Sequence, residues 1–344
     1  MHIAVLSRWN ATCGVAMHAE LIVPEFLKMG HDVTVFAPYV ESASRWWHHK
    51  VVRKDEDFVV RCYEEVSPEG EGGKINFDEI LKRSFDVLLV ESYGSVPHLE
   101  VQKLAGELKK KGIKTFVVIH EGYKKDLRYS DFSNFEKLAV FDERYVNELL
   151  NSVRDKTTVI PYPCHPLNPT KRKFAEDGLK FFSFGRQPIN EYDPFFKALE
   201  TLEKDYEFTY RVIRSNGELP YERKWLIQER KRLRDNREVY EELHKADIFM
   251  IPKGQTNGVV VSSTLYQCMG ALIPTVVPNT RHFEMHEKEV VKFNDAKDLS
   301  EKIRRLIEDE KYRKSVVENA KKYVEENDSR KIAERFIKLF NEYS

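Results

Sequence analysis

The chain has few cysteines, no net charge and no long apolar run, and each absence excludes a class of protein. Its cysteines, Cys13, Cys62, Cys164 and Cys268, are widely separated and show no ligand spacing, so neither a zinc site nor a disulfide framework is predicted. No segment offers the roughly 18 consecutive apolar residues of a membrane-spanning helix. The 56 basic and 56 acidic residues balance, which argues against nucleic-acid binding through a basic face.

The length and the first residues define the broad class of protein. A chain of 344 residues is too long for one ordinary core, and a hydrophobic fraction of 41% is enough for two. The opening MHIAVLSRWN predicts a short strand and not a signal peptide. Two domains in a soluble, cytoplasmic protein are therefore expected.

Short apolar strands alternate with helices through the first half of the chain. Near-continuous apolar strands separated by helices predict a parallel sheet that is covered on both faces. The predicted strands are 2–7, 33–37, 86–90, 115–119, 138–141 and 158–160, and the predicted helices are 15–29 and 99–111.

A proline-rich segment separates this series from a second one. Residues 161–169, PYPCHPLNP, hold four prolines and can form neither a strand interior nor a helix interior. The prediction is a domain 1–163, a domain 164–329, and a C-terminal helix, 330–344, that packs back on the first. The second series comprises strands 180–184, 209–213, 248–252, 275–277 and 290–293, helix 193–202, a charged helix before 248, and two or three helices after 296.

Residues 246–278 contain the most informative local pattern. A buried strand is followed by a loop with Gly254 and Gly258, and Ser262 and Ser263 can cap the helix that comes next. Converging N–H groups and the helix dipole at such a helix start favour an anion. The alternative is an ordinary βαβ unit. Two doubly wound domains on either side of a linker also predict a cleft between the carboxyl edges of their sheets, where ligands bind in this class.

The loop after the first strand, residues 7–14, argues against a dinucleotide cofactor. It lacks GxGxxG, and the second strand runs into Pro38 and Tyr39 without the expected acidic residue. Gly14 before a helix still allows its backbone N–H to approach a phosphate. A plain tight turn is the alternative.

Six motifs in order resemble family 4 glycosyltransferases of the GT-B fold. The resemblance covers nearly the whole chain, and its motifs are CGVAMHAELIVPEFLKMGHDVTVF, FDVLLVESYG, KTFVVIHEG, TTVIPYP, KFFSFGR and ELHKADIFMIP. It implies two Rossmann-like domains facing a cleft and transfer of a sugar from a nucleotide-diphosphate sugar. That co-substrate would be used without a cofactor or a metal, and the stereochemistry would be retaining.

The resemblance also assigns residues. His120 falls on the active-site histidine, which would contact the transferring sugar or the donor phosphate, and Arg186 falls on the diphosphate-binding arginine. Gly14 falls on the phosphate-proximal glycine. The alternatives are a strand-end histidine bonded to backbone and, for Arg186, a surface ion pair.

The chain departs from the family pattern in its donor segment. Two glutamates with seven residues between them are usual, and here the second falls on Gln267 and the first on Val259, or on Thr256 or Asn257 if the loop is longer. Gln267 can still bond ribose hydroxyls. N–H groups from Asn257 to Val260, Gly258 and Val259 included, would stabilise the leaving phosphate.

A lysine that normally follows the GR motif is also missing. Asn190 and Glu191 stand near its position, and Glu191 would repel a diphosphate. Lys253 or Arg214 would then supply the positive charge, or donor binding is weak or different.

Several other side chains are candidates for the acceptor site or for surface contacts. Trp9, Glu91 and Tyr93 are predicted acceptor contacts, and His18 faces either the cleft or solvent. The Asp55–Asp57 D-x-D pattern is interpreted as a solvated loop and assigned no metal. Trp46, Trp47, His48 and His49 would stack on a sugar or contact a membrane surface, with core packing and a solvated loop as the alternative.

The sequence therefore predicts a glycosyltransferase acting on an unspecified sugar, lipid or small-molecule acceptor, with the oligomeric state left open. The first alternative is an inactive GT-B protein that binds a nucleotide sugar or a glycan, which the missing glutamates and lysine favour. The second alternative is a nucleotide-sugar epimerase.

Overall fold

The structure is a computed structural model that describes residues 1–44 and 50–343. The predicted patch at Trp46, Trp47, His48 and His49 lies outside the described residues. The chain divides into two compact units, of which unit 1 comprises Met1–Pro163, Gly258–Ser263 and Ser329–Ser344, and unit 2 comprises Cys164–Asn257 and Thr264–Asp328. Across the described ranges, no helix has both the length and the apolar character needed to cross a membrane.

Unit 1 is built on a parallel sheet of seven strands in the order β3-β2-β1-β4-β5-β6-β7. The strands are β1 His2–Leu6, β2 Asp32–Pro38, β3 Val59–Tyr63, β4 Val87–Ser92, β5 Lys114–Ile119, β6 Lys137–Val140 and β7 Thr157–Val159. The helices between them are α1 Gly14–Lys28, α2 Val40–Ala43, α3 Phe77–Leu81, α4 His98–Lys110 and α5 Glu143–Glu148.

The strand order of unit 1 reverses between β1 and β4. All six residues of β4 are buried, as expected of a central strand covered by helices on both faces. β4 pairs with β1 on one side and with β5 on the other. In open parallel sheets such a reversal is the topological switch point, beside which ligands bind at the carboxyl ends of the strands.

Unit 2 repeats the architecture with six parallel strands in the order β10-β9-β8-β11-β12-β13. Its switch point lies between β8 and β11. The strands are β8 Leu179–Gly185, β9 Phe208–Arg214, β10 Leu226–Arg230, β11 Ile248–Met250, β12 Thr275–Pro278 and β13 Val291–Phe293. The helices are α6 Asp193–Leu202, α7 Asn236–Leu243, α8 Ser263–Cys268, α9 Ala296–Glu308 and α10 Glu310–Asn327. The predicted fold class, two doubly wound Rossmann-like units, is confirmed.

The last helix, α11 Ser329–Tyr343, belongs to unit 1. It lies against α1, and its Phe340 ring packs on Phe26 and Phe116 with centroid separations of 6.2 and 4.9 Å. A break at Asp328, which is extended with ψ 166°, separates α11 from α10.

Three local predictions were wrong. The segment before 248 was expected to be one charged helix, but it holds β10 and then α7. β10 reads LIQER and, among the strands that the structure describes, pairs only with β9, so this edge strand lacks the apolar pattern by which strands were predicted. β3 was not predicted, and the strand predicted at 248–252 ends at Met250.

Candidate functional site

A buried carboxylate joins two histidines at the switch point of unit 1. Glu91 is the next-to-last residue of β4, and His120 directly follows β5. Glu91 Oε2 lies 2.6 Å from His120 Nε2, and Glu91 Oε1 lies 2.8 Å from Nδ1 of His18, which comes from α1. One carboxylate thus accepts a hydrogen bond from each ring. We call His18, Glu91 and His120 the His–Glu–His cluster.

Burial and charge set the protonation of this cluster. Burial alone would raise the pKa of Glu91, but attraction by His18 and hydrogen bonds from both rings lower it to about 2. Burial lowers the pKa of His18 further than Glu91 raises it. The side chains of His18 and Glu91 are fully buried, whereas that of His120 is 9% exposed. His120 is therefore the member with access to solvent.

The sequence predicted that His18 faces either a cleft or solvent, but in the structure its side chain faces neither. The ring is enclosed by Phe141, Tyr162 and Phe336, with centroids 5.2–6.1 Å away. Its Nε2 atom is buried and has no hydrogen-bond partner among the described residues. His18 is thus a fixed, enclosed support for Glu91.

The cluster has the ligand types of a metal site but the spacing of hydrogen bonds. One ligand atom from each residue lies within 4.8 Å of the others. Two ligands of one tetrahedral zinc ion are about 3.3 Å apart, given bonds of about 2.0 Å. The observed nitrogen–oxygen distances of 2.6 and 2.8 Å are shorter than that and match charge-assisted hydrogen bonds.

A second buried carboxylate lies beside the first. Glu121 Oε1 accepts hydrogen bonds from Ser92 Oγ at 2.6 Å and from His98 Nε2 at 2.7 Å. Tyr129 donates its hydroxyl to Ser92 Oγ at 2.9 Å. A buried glutamate paired with histidine therefore lies at the carboxyl end of each of the neighbouring strands β4 and β5. The second pair, Glu121 with His98, does not include His120.

The predicted acceptor residues Trp9 and Tyr93 are buried and already bonded. Trp9 is 3% exposed, and its Nε1–H donates to Glu56 at 2.7 Å. The Tyr93 hydroxyl donates to Glu65 at 2.7 Å, and Arg8 binds that carboxylate at 2.5 and 2.9 Å. With Glu91 in the His–Glu–His cluster, all three candidates have partners inside unit 1. An acceptor role for them stays a prediction.

Two carboxylates of the D-x-D segment, Asp55 and Glu56, are likewise engaged in hydrogen bonds. Asp55 accepts two bonds from Arg61, both of 2.8 Å, and one of 3.2 Å from Asn10. Glu56 accepts from Trp9 and Asn10. These side chains hold the loop after β1 in place.

Gly14 begins α1 at a closely packed position. A Cβ atom at this position would lie 3.0 Å from Ser263 Oγ, and the Gly14 carbonyl accepts a 2.6 Å hydrogen bond from the Tyr162 hydroxyl. Its φ angle is not positive, so a tight left-handed turn does not explain the glycine. Its predicted contact with a phosphate stays a prediction.

Residues of the segment 258–263 contact other parts of unit 1. The Val259 N–H donates to the Gly122 carbonyl at 3.0 Å, and Arg144 donates to the Val260 carbonyl at 3.1 Å. A Cβ atom on Gly258 would lie 2.8 Å from the Tyr123 ring. The sequence predicted that the Val259 N–H binds the donor substrate. In this structure that N–H already donates a hydrogen bond to a carbonyl of the protein.

The switch point of unit 2 carries two basic side chains. Arg186 follows β8, and Lys253 comes three residues after β11. Burial lowers the pKa of Lys253, Glu191 raises it, and Arg186 lowers it further, so all three charges interact. Glu191 lies close to the Lys253 segment, since a Cβ atom on Gly254 would be 2.5 Å from its Oε1.

Arg214 donates hydrogen bonds to backbone carbonyls of the protein. It is 4% exposed and donates to the carbonyls of Gly217 at 2.7 Å and Gln187 at 2.9 Å. Of the two bases considered as a replacement for the missing lysine, Lys253 is the one whose charge interacts with Arg186. The half-buried pair of Arg186 and Lys253 is suited to two negatively charged phosphates.

The loop after Lys253 is held by side-chain contacts. Gln255 Oε1 accepts from the backbone N–H of Thr256 at 3.1 Å and from that of Arg281 at 3.0 Å. The guanidinium of Arg281 donates to the Asn257 carbonyl at 3.0 Å. The predicted donor residues Thr256 and Asn257 therefore lie on a loop that these hydrogen bonds hold in place.

Gln267 lies on α8 with one free acceptor atom. Its side-chain Nε2 donates to Asn236 Oδ1 at 2.8 Å, and its backbone carbonyl accepts a hydrogen bond from the Tyr240 hydroxyl at 2.9 Å. The residue is 8% exposed, and Oε1 makes no hydrogen bond within the described ranges of the chain. This amide oxygen can accept a bond from a hydroxyl group.

Sequence reasoning missed three of these features, namely the support from His18, the Glu121–His98 pair and the buried Arg8–Glu65 pair. The strand ends offer a usable signal for bringing Glu91 to His120 and Ser92 to Glu121, but none for the helix residues His18 and His98. β4 ends in Glu91 and Ser92, while β5 is followed by His120 and Glu121, and parallel neighbours bring such strand ends together. The contribution from α1 depends on helix packing, which the pattern does not encode.

Comparison with known proteins bears on the fold and on part of the chain. Residues 190–338, less than half of the chain, match a family model described as "Glycosyl transferase-like". The pneumococcal O-GlcNAc transferase GtfA in complex with UDP and GlcNAc shares 9% identity over 100% of this chain and 99% of its own, with a TM-score of 0.67.

Two further solved structures give the same result. A glycosyltransferase from Rickettsia africae ESF-5 shares 13% identity over 99% of this chain and 98% of its own, with a TM-score of 0.68. An alpha-glucosyltransferase in complex with UDP and a 13-mer DNA shares 16% over 99% of both chains, with a TM-score of 0.65. The chain therefore has the GT-B fold of these glycosyltransferases, and its residues 190–338 match the glycosyl transferase-like family model.

Proposed function

We propose that the protein transfers a sugar from a nucleotide-diphosphate sugar to a hydroxyl-bearing acceptor. The observation that carries the proposal is the Arg186–Lys253 pair at the switch point of unit 2. Two half-buried cations with one nearby carboxylate leave a positive site where a parallel sheet binds ligands. UDP in similar GT-B structures supports a nucleotide diphosphate as its occupant.

The charge arrangement explains how such a donor is held and activated. Lys253 has a lowered pKa because burial and Arg186 both disfavour its charge. A bound diphosphate opposes both effects and favours the charged form. The same cations stabilise the negative charge that develops on the leaving phosphate during transfer. The proposal places no metal ion in this step, and Arg186 and Lys253 supply the positive charge.

Unit 1 contributes His120 to the proposed reaction. His120 is held by Glu91 and is the member of the His–Glu–His cluster with access to solvent. A partly accessible, carboxylate-held imidazole can contact the transferring sugar. Retaining stereochemistry and the acceptor contacts of Trp9 and Tyr93 remain parts of this proposal.

The second candidate is a GT-B protein that binds a nucleotide sugar without transferring it. In the resemblance to family 4, Val259 and Gln267 fall where two glutamates are usual, which favours this alternative. Both candidates require the nucleotide site of unit 2, so binding tests that site and turnover separates the two functions. An epimerase would return the donor as a different nucleotide sugar.

A thermal-shift screen tests the nucleotide site. Nucleoside diphosphates and their sugar conjugates should raise the melting temperature more than the matching monophosphate or nucleoside, because only the former place two phosphates beside Arg186 and Lys253. Pyrophosphate alone serves as a control for charge. Equal shifts with every anion, or no shift with any nucleotide, would contradict the proposed site.

Replacing Gln267 by alanine tests its role in ribose binding. Loss of the free Oε1 acceptor should cost about 1–3 kcal/mol of nucleotide affinity, measured by titration calorimetry. Gln267→Glu should be tolerated, because it keeps an acceptor and the Asn236 amide can rotate to donate.

Asn236→Ala is the matched control for this experiment. It removes the same Gln267–Asn236 hydrogen bond but leaves Gln267 Oε1 in place. An affinity loss as large in Asn236→Ala as in Gln267→Ala would show that Gln267 acts by supporting the fold around α8.

A further inference from the structure

We propose that Glu91, itself held by His18, fixes His120 in the tautomer that carries its proton on Nε2, so that Nδ1 accepts a hydrogen bond from a substrate hydroxyl. The hydrogen-bond geometry of the His–Glu–His cluster carries the proposal. The tautomer stands on that geometry alone, whereas the hydroxyl contact rests on the proposed transferase function.

The first step concerns what an ionised carboxylate demands of its neighbours. Glu91 is an acceptor only, so both ring nitrogens that face it must carry a proton. Those nitrogens are His120 Nε2 at 2.6 Å and His18 Nδ1 at 2.8 Å. A neutral His120 ring with its proton on Nε2 has a lone pair on Nδ1. That atom makes no hydrogen bond with any residue in the described part of the chain.

The second step concerns the chemistry of the ligand atom. Nδ1 of the neutral ring accepts a hydrogen bond and cannot donate one. A phosphate oxygen has no proton to give, but a sugar hydroxyl has. Of the two contacts considered for His120, the transferring sugar and the donor phosphate, this tautomer selects a hydroxyl group of the sugar or of the acceptor.

The third step concerns His18, which restricts Glu91. His18 is fully buried against Phe141, Tyr162 and Phe336, and its Nε2 has no hydrogen-bond partner within residues 1–44 and 50–343. Moving its proton from Nδ1 to Nε2 would bury an unsatisfied donor. His18 is therefore the ring whose tautomer is hard to change, and His120, which reaches solvent, is the ring that can adapt.

Replacing Glu91 by glutamine tests this difference between the two histidine rings. Glutamine offers one acceptor and one donor, so it satisfies only one of the two ring N–H groups. We expect its oxygen to accept from His18 and its amide to donate to His120 Nε2. His120 must then move its proton to Nδ1.

Nitrogen-15 NMR of histidine-labelled protein reads the tautomer directly, with the His120 signals assigned by their loss in His120→Ala. At pH 8 the wild type should show a protonated Nε2 and a bare Nδ1, and Glu91→Gln should show the reverse. Glu121→Gln is the matched control, because it changes the neighbouring buried glutamate and should alter His98 but not the tautomer of His120. The wild-type spectrum decides the tautomer even if Glu91→Gln does not fold.

Turnover supplies the second readout. If Nδ1 accepts a substrate hydroxyl, Glu91→Gln should lower kcat at least about tenfold, since a reversed tautomer presents a donor where an acceptor is needed. The KM for the donor should change little. A wild-type ring protonated on Nδ1, a ring protonated on both nitrogens at pH 8, or tightly bound zinc with a bare Nε2 would overturn the proposal. The predicted tautomer without any turnover would overturn the transferase function alone.

Discussion

His120→Ala is expected to lower sugar transfer, or donor hydrolysis, by about a hundredfold or more while leaving nucleotide affinity nearly unchanged. The reason is that His120 belongs to unit 1 and contacts the reacting sugar in the proposed function, whereas the diphosphate is bound by Arg186 and Lys253. Steady-state kinetics and nucleotide titration on the same preparation measure the two effects separately.

His31→Ala is the matched control for this change. His31 directly precedes β2 and so lies at the amino edge of the same sheet, away from the carboxyl ends of the strands. Its kcat should equal that of the wild type. Turnover in His120→Ala equal to that of His31→Ala would show that His120 does not act in catalysis. It would not bear on the nucleotide site.

Arg186→Ala is expected to weaken nucleoside-diphosphate binding by about 1.5–3 kcal/mol, the scale of a charge-assisted hydrogen bond. Binding of the bare nucleoside should change little, because the guanidinium contacts phosphate oxygens in the proposed complex. Arg186→Lys should recover part of the loss, since it keeps the charge but not the two-pronged geometry. Titration calorimetry with nucleoside, monophosphate and diphosphate gives the three affinities.

A surface arginine tests the alternative that Arg186 forms only a surface ion pair. Arg223 pairs with Glu200, and both side chains are 37% exposed. Arg223→Ala should leave all three affinities unchanged. Equal losses for nucleoside and diphosphate in Arg186→Ala would mean that Arg186 acts through the fold of unit 2 and not through phosphate.

The sequence predicted the architecture well because apolar patterning dictates it. β4 and β5 are almost entirely buried, and their uninterrupted apolar runs are visible in the sequence. β10 was missed because an edge strand, paired on one side only, tolerates the polar residues of LIQER. The two strands that the sequence missed, β3 and β10, both lie at the edge of a sheet.

The candidate sites were predictable only where strand ends carry them. The apolar pattern predicted that His120 and Arg186 directly follow strands at the carboxyl edges of the two sheets, whereas their roles were implied by the resemblance to family 4 glycosyltransferases. The support of His120 by His18 depends on how α1 packs over β4, and the interaction of Lys253 with Arg186 depends on two strands that are distant in sequence. Contacts of this kind follow from tertiary packing, which a single sequence does not display.

The central claim is tested most directly by the release of free nucleoside diphosphate from a panel of nucleotide-sugar donors, with and without simple sugar acceptors. The proposed function predicts that at least one donor that raises the melting temperature is also turned over. It further predicts that Arg186→Ala lowers this turnover and that His120→Ala nearly abolishes it. A wild-type protein that binds a donor tightly and releases no nucleoside diphosphate with any acceptor would contradict the transferase function and leave a nucleotide-sugar-binding protein.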